Sequence, residues 1–164
     1  MKFEIIKLKE FNGNKCSVYS IFVDDEQRTL FDRFLEENSI LFKHEISDLV
    51  LRIQSINKKF GARQSFFKMD EGIPGDGVCA LFDLPNSNLR LYCIRYGNSI
   101  IILGGGGQKP KTISAFQENE KLTEENYLLR TVSQKITSRI KDHEIFFSSE
   151  GIELLGELEF NEDE

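Results

Sequence analysis

The stretch that most constrains the fold spans residues 89–112 and reads LRLYCIRYGNSIIILGGGGQKPKT. Two apolar runs typical of strands flank Gly97-Asn98, a pair that favours a two-residue hairpin turn with glycine at its first central position. The second run ends in four consecutive glycines, Gly104 to Gly107. Such a tract is either a flexible connector or a place where another group approaches the backbone closely. The stretch therefore predicts a β-hairpin that ends in bare main chain.

A two-residue turn at Gly97-Asn98 would fix the register of this hairpin and place Arg90 opposite Gly105. Arg90 and Tyr92 would share one face of their strand, because side chains alternate along a strand. The glycines opposite them contribute no side chains, so we expect a shallow recess with exposed amides. The predicted recess is electropositive and is lined by Arg90, Tyr92, Lys109 and Lys111.

The rest of the chain predicts an α+β domain, in which helices pack on one face of an antiparallel sheet of about four to six strands. An α-helical hairpin precedes most of this sheet, and a C-terminal helix follows it. The turn signal Asn12-Gly13-Asn14 predicts an additional N-terminal β-hairpin. We expect strands at residues 2–11, 17–23, 65–69, 78–84, 89–96 and 99–103, and helices from Asp24-Asp25 to about Asn38, from about His44 to Gly61, and over Thr123–Lys141.

Charge is distributed unevenly along the 164 residues, whose formal net charge is -6. Residues 144–164 carry eight acidic residues and no Lys or Arg, whereas residues 52–111 carry nine basic residues against four acidic ones. We therefore divide the chain into a single domain, residues 1–143, and an acidic C-terminal tail, residues 144–164. A basic middle beside an acidic tail suits an anionic ligand that is screened by the C-terminus, or else both are ordinary solvated faces.

Composition argues against several classes of protein. The sequence contains no run of about 18 apolar residues, so it predicts no membrane span. The N-terminus is not typical of a signal peptide, and we therefore expect a cytoplasmic protein. Three widely spaced cysteines are typical of buried, reduced thiols. His44 and His143 are the only histidines and lack carboxylate-rich spacing, so we expect no zinc site, no Ser-His-Asp triad and no cofactor.

The hairpin region resembles the toxins of RelE/ParE type, and in particular their HigB or phage-derived branch. In those toxins a strand with an arginine and an aromatic residue precedes an apolar strand, a glycine and a basic segment. The matching residues are Leu89-Arg90-Leu91-Tyr92, Ile100 to Gly105 and Gln108-Lys109-Pro110-Lys111-Thr112. The resemblance covers residues 26–141 and implies a RelE-like fold and a toxin that is neutralised by a cognate antitoxin protein of helix-turn-helix type.

The resemblance also implies an activity, because many members cut mRNA on the ribosome without a metal by activating the ribose 2′-hydroxyl; ParE relatives poison gyrase instead. If these roles apply to the matching residues of this chain, Arg90 would stabilise the scissile phosphate, and Tyr92 would stack a base or assist proton transfer. Lys109 completes the expected catalytic set. Cations hold the phosphates in such sites, and the expected substrate-binding residues are Arg63, Lys68, Arg95, Gly105 and Lys111.

The chain departs from the family pattern at two positions. Asp83, within Phe82-Asp83-Leu84, stands near the place of an expected arginine, and Gly104 stands where the family has a histidine. A second hypothesis is therefore a non-catalytic relative, an interaction module that kept the RelE-like sheet and lost the nuclease. A third is a binder of a small phosphate or nucleotide at the glycines.

Overall fold

The computed structural model describes residues 1–69, 71–109 and 120–163. Within these residues the fold is α+β and consists of a mixed eight-stranded sheet, three α-helices and a separate two-stranded ribbon. The elements in chain order are β1 (Phe3–Lys7), β2 (Ser17–Val23), β3 (Arg28–Thr29), α1 (Leu30–Asn38), α2 (Lys43–Ser55), β4 (Phe67–Lys68), β5 (Val78–Leu81), β6 (Leu89–Tyr96), β7 (Ile100–Gln108), α3 (Glu120–Lys141), β8 (Ile145–Phe147), β9 (Leu154–Gly156) and β10 (Glu159–Phe160).

The sheet has the order β10-β1-β2-β7-β6-β5-β4, and the short β3 pairs with β2. Neighbouring strands are antiparallel except β2 and β7, which run parallel with Ser17 opposite Ile100. The prediction of a purely antiparallel sheet with four to six strands was therefore wrong. The N-terminal hairpin does not stand apart but joins the centre of the sheet through this parallel pair.

Helices cover both faces of the sheet, which corrects the prediction of helices on one face. One core contains Tyr92 and Ile102 and is covered by α3, while the other contains Leu91 and Ile101 and is covered by α1 and α2. The long runs of consecutive apolar residues in β2 and β7 require this arrangement, because a strand that is apolar on both sides must be buried on both sides.

The turn between β6 and β7 is one residue longer than predicted. Tyr96 pairs with Ile100, so Gly97, Asn98 and Ser99 form a three-residue connection. Gly97 adopts a left-handed conformation with φ of 61°, which glycine reaches without strain. The predicted register was therefore wrong from the first pair onward.

A β-bulge shifts the same hairpin once more. The pairing passes from Cys93 opposite Leu103 to Leu91 opposite Gly106, so β7 contains one extra residue at this point. Arg90 consequently pairs with Gly107 and not with Gly105.

The glycine tract of β7 lies directly beneath α3. A Cβ atom at Gly105 would lie 2.0 Å from Glu125 Oε2, and one at Gly104 would lie 2.8 Å from Leu129 Cδ2. At Gly106 the obstacle is the β6 backbone, because a Cβ atom there would lie 1.9 Å from the Arg90 carbonyl oxygen. All four glycines are buried. Of the two explanations for the tract, close approach of another group is therefore correct, and that group is a helix of the same chain.

The first helix packs where β2 and β7 stop pairing. Ser20, in the last parallel pair, donates its hydroxyl to the carbonyl oxygen of Leu103 at 2.7 Å and accepts from the backbone amide of Phe31 at 3.3 Å. The N-cap of α1 is Thr29, whose hydroxyl accepts from the amide of Asp32 at 3.0 Å. The buried hydroxyl of Ser20 thus links β2, β7 and α1.

The acidic C-terminal residues pack against the rest of the chain. β8 and β9 form the two-stranded ribbon, and β10 pairs with β1 at the edge of the sheet opposite to β4. The ring of Phe160 stacks on Phe3 with centroids 4.4 Å apart, and the guanidinium of Arg139 lies 3.6 Å from its centroid. Three strands lie between β10 and β6, so β10 does not cover Arg90.

Candidate functional site

Three cations surround one buried carboxylate near the end of the β6–β7 hairpin. The ammonium nitrogen of Lys68 lies 2.8 Å from Asp83 Oδ1, and that of Lys109 lies 3.0 Å from Asp83 Oδ2. Arg90 Nε lies 3.6 Å from the same Oδ2 atom. A second carboxylate, that of Glu71, lies beside Arg90, with its Oε1 atom 3.9 Å from Arg90 Nη1. We name these five residues the Asp83 cluster.

The order of the strands brings the cluster together. Lys68 lies on β4, Arg90 lies on β6, and Lys109 directly follows β7, while Asp83 lies in the connection between β5 and β6. Because β4, β5, β6 and β7 are successive neighbours in the sheet, residues far apart in sequence meet at one end of it. The backbone amide of Lys109 donates to Asn88 at 2.7 Å, which extends the β6–β7 pairing by one step.

The cluster balances most of its own charge. Only 3% of the Asp83 side chain is exposed, against 15% for Arg90, 12% for Lys109 and 38% for Lys68. Burial alone would raise the pKa of Asp83, but the ammonium groups of Lys68 and Lys109 and the charge of Arg90 lower it below its ordinary value. Three cations against two carboxylates leave one unit of positive charge.

Lys109 is further held by the connection between β5 and β6. Its ammonium group donates to the carbonyl oxygen of Leu84 at 3.0 Å and to the hydroxyl of Ser87 at 2.9 Å. Two hydrogen bonds to this connection and the ion pair with Asp83 thus fix the position of the ammonium group.

Tyr92 lies in the core and not in an accessible recess. Its side chain has no exposed surface and belongs to the core beneath α3. Burial, with a smaller effect of the Glu71 carboxylate, raises the pKa of Tyr92 to about 12. The phenol is therefore neutral at physiological pH and has no open face on which a base could stack.

The predicted substrate-binding residues do not form one groove. Arg63 is exposed and its guanidinium lies 5.4 Å from the ring centroid of Phe60. Arg95 lies on β6, and its Nε donates to the carbonyl oxygen of Ala62, the residue before Arg63, at 2.6 Å. Its Nη2 donates to Oδ1 of Asn98, in the connection between β6 and β7, at 2.5 Å. Gly105 is buried beneath Glu125, so its amide is not part of an open recess. Lys111 lies outside the described residues.

The structure adds a second charged group that sequence reasoning missed. The buried carboxylate of Glu125 on α3 lies against the guanidinium of Arg33 on α1 and 2.9 Å from the ammonium group of Lys121. Nη1 of Arg33 also lies 2.7 Å from Oε2 of Glu26. A signal was present, because Glu125 falls between Leu122 and Leu129 on the apolar side of the helix.

The other reactive side chains lack the surroundings of a catalytic site. Cys16, Cys79 and Cys93 are buried, and Cys79 lies directly opposite Cys93 on neighbouring strands. Burial raises the pKa of Cys16 and of Cys79 to about 12 and that of Cys93 well above its ordinary value, so the thiols are poor nucleophiles. His44 and His143 are exposed.

The described residues contain neither a group arranged to hold a metal ion nor a helix able to cross a membrane. Among residues 1–69, 71–109 and 120–163, no group of three His, Cys, Asp or Glu side chains is arranged to hold a metal ion. None of the helices in this part of the chain combines the length and apolar character needed to cross a bilayer. In comparisons with known proteins, no family model, no curated protein and no solved structure matches this chain.

Proposed function

We propose that this chain is a non-catalytic interaction module with a RelE-like sheet, and not an active ribonuclease. One observation carries the proposal: Asp83 lies within 3.6 Å of Lys68, Arg90 and Lys109, the cations expected to hold RNA and stabilise a scissile phosphate. A carboxylate of the chain itself thus takes the place that a substrate phosphate would need.

Energetics support this proposal. A phosphate that recruits Arg90 and Lys109 has to draw them away from a carboxylate of which only 3% is exposed. Leaving such a charge buried and unpaired costs about 3–5 kcal/mol, which would be subtracted from the binding or catalytic free energy.

Proton transfer supports it as well. Metal-independent cleavage needs a group that removes the proton from the ribose 2′-hydroxyl, and efficient general bases have a pKa near the working pH. Tyr92, the expected aromatic participant, is buried and has a pKa of about 12. Tyr92 is therefore unsuited to remove the proton from the 2′-hydroxyl.

The same proposal includes the partner and the location. A module of this kind would act in the cytoplasm by binding a partner protein, and a cognate protein of helix-turn-helix type is the expected partner from the resemblance.

Induced expression tests the proposal. We expect cells that express the wild-type chain to grow at the rate of cells that express Arg90→Ala, with both proteins measured as soluble and equally abundant. Messenger RNA probed by primer extension should show the same ends in both cultures. Growth arrest and new mRNA ends that depend on Arg90 would overturn it.

A second candidate is the metal-independent mRNA endoribonuclease of a type II toxin-antitoxin system. The observation that favours it is the convergence of Lys68, Arg90 and Lys109 at one end of the sheet, with one unit of positive charge in excess. This candidate predicts the opposite outcome of the same experiment, in which the wild-type chain stops growth and Arg90→Ala restores it.

A further inference from the structure

A basic surface with exposed aromatic rings lies beside β4. We name it the basic surface and define it by Arg52, Lys59, Phe60, Arg63, Phe66 and Phe82. Residues 52–69 contain five Lys or Arg and no Asp or Glu, although the chain as a whole has a net charge of -6. Phe60 and Phe82 are each 44% exposed.

Five of the six residues of the basic surface are linked by direct contacts. The guanidinium of Arg63 lies over Phe60, whose ring centroid is 5.9 Å from that of Phe66. The amide of Phe82 donates to the carbonyl oxygen of Phe66 at 2.7 Å, and the guanidinium of Arg52 donates to the carbonyl oxygen of Phe82. Three rings thus lie between two guanidinium groups in one connected series, and the exposed Lys59 directly precedes Phe60 in the chain.

A second exposed surface has the opposite charge. We name residues 144–157, which contain β8 and β9, the acidic hairpin. Its charged side chains are all carboxylates, and a hydrogen bond with Glu157 raises the pKa of Glu144, which reports crowding of like charge. Nearby cations are Lys135 and Arg139 on α3, which line one cavity with Glu144 and Glu157, and Lys7, which lies 3.2 Å from Glu153. Three apolar side chains of the hairpin are also exposed: Phe146 by 50%, Phe147 by 39% and Leu155 by 38%.

The two surfaces lie on different faces of the sheet. Phe66 of the basic surface packs against the core beneath α2, whereas Ile145 and Leu154 of the acidic hairpin belong to the core beneath α3. Within one chain the sheet separates them, so the acidic hairpin does not screen the basic surface of its own molecule.

We propose that the basic surface of one copy of this chain docks against the acidic hairpin of a second copy. Both surfaces combine exposed phenylalanines with charges of a single sign, and the signs are complementary. Apolar contact would supply most of the affinity, and charge would supply orientation and selectivity. Because different patches meet, the contact is heterologous, and copies can form either a closed ring or an open chain. The proposal is independent of whether the protein cleaves RNA.

Analytical ultracentrifugation over a wide concentration range gives the first test. We expect the average mass to rise from 18.9 kDa toward at least twice that value with concentration, and to rise less at high salt. A chain that stays monomeric throughout would overturn the proposal. Binding of a single-stranded oligonucleotide by the basic surface of such a monomer would identify a different occupant.

Paired charge reversals give the sharper test. The variant Lys59→Glu with Arg63→Glu reverses the charge of the basic surface, and Glu150→Lys with Glu157→Lys neutralises the acidic hairpin. We expect each variant alone to have a dissociation constant raised by at least about tenfold, and an equimolar mixture of the two to associate again. The mixture retains one native pair of surfaces, so a folding defect cannot explain the recovery.

A control matched to the basic-surface variant is Lys9→Glu with Lys43→Glu, which lowers the net charge by the same amount at two exposed positions outside both surfaces. We expect it to associate like the wild-type chain. Association that survives in either surface variant, or that fails to return in the mixture, would overturn the proposal.

Discussion

At the scale of single residues, Asp83 determines how the neighbouring cations are used. The substitution Asp83→Asn removes the charge that Lys68 and Lys109 share and leaves three cations close together. We expect it to lower the free energy of unfolding at neutral pH by about 3 kcal/mol, because it breaks a largely buried ion-pair network. Urea unfolding measures this, and Asp48→Asn on the exposed side of α2 is the matched control, with an expected change within about 0.5 kcal/mol.

The effect of Asp83→Asn should depend on pH in one direction. The pKa of Asp83 is lowered in the folded state, so its stabilisation is present above the unfolded pKa of about 3.9 and is lost as pH falls through the folded value. The stability difference between wild-type and variant chains should therefore shrink in acid. A difference that is the same at acidic and neutral pH would contradict the role given to this carboxylate.

Sequence reasoning selected cations that lie together in the structure, and it did not anticipate the carboxylate between them. Arg90 and Lys109 were selected from the expected hairpin register, and Lys68 was added from the resemblance. Asp83 was noticed only as a departure from a family pattern. Its role depends on a loop conformation between β5 and β6, and loop conformation leaves no periodic signal in the sequence.

At the scale of elements, the bulged pairing of β6 with β7 depends on missing side chains. Gly106→Ala would place a Cβ atom 1.9 Å from the carbonyl oxygen of Arg90, so β6 and β7 must move apart. We expect a loss of about 2 kcal/mol or more in the free energy of unfolding. Gly107→Ala is the control, because its nearest neighbour is the flexible Lys121 side chain at 3.2 Å, and it should cost less than about 1 kcal/mol.

Thermal and urea unfolding of the two glycine variants check this prediction. Equal effects of Gly106→Ala and Gly107→Ala would mean that the bulged pairing of β6 with β7 is not as described.

The elements themselves were predictable to different degrees. The bounds of β6 match the expected Leu89–Tyr96, because turn residues limit that apolar run on both sides. The partner strand β7 was expected to end at Leu103 and continues to Gln108, since glycines signal a loop in sequence but here lie under a helix. The register failed first at the turn, which has three residues instead of two, and again at the bulge between Leu91 and Cys93.

At the scale of the whole molecule, the C-terminal residues help to stabilise the sheet. Phe160 is 1% exposed and lies between Phe3 and the guanidinium of Arg139. We expect Phe160→Ala to lower the free energy of unfolding by about 3–5 kcal/mol, the usual cost of truncating a buried phenylalanine. Leu41→Ala, at a residue that is 75% exposed, should change it by less than about 0.5 kcal/mol. Similar changes in both variants would show that β10 contributes little.

The coarse fold class followed from sequence, whereas the layering did not. Periodic apolar residues indicated three helices and a multi-stranded sheet, and these are present in the described part of the chain. The parallel pairing of β2 with β7 joins segments that are about eighty residues apart, and no local pattern specifies it. The continuous apolar run Ile100 to Leu103 did hold a signal for two-sided burial, and weighing it more heavily would have predicted helices on both faces.

The central claim is that Lys68, Arg90 and Lys109 are already paired with Asp83. The most direct measurement is a pH titration of the Asp83 carboxyl carbon by NMR, with the resonance assigned by its loss in Asp83→Asn. We expect a pKa below the ordinary value of 3.8, since three cations stabilise the charged form. A value at or above 3.8 would contradict the claim and would leave the three cations available to another anion.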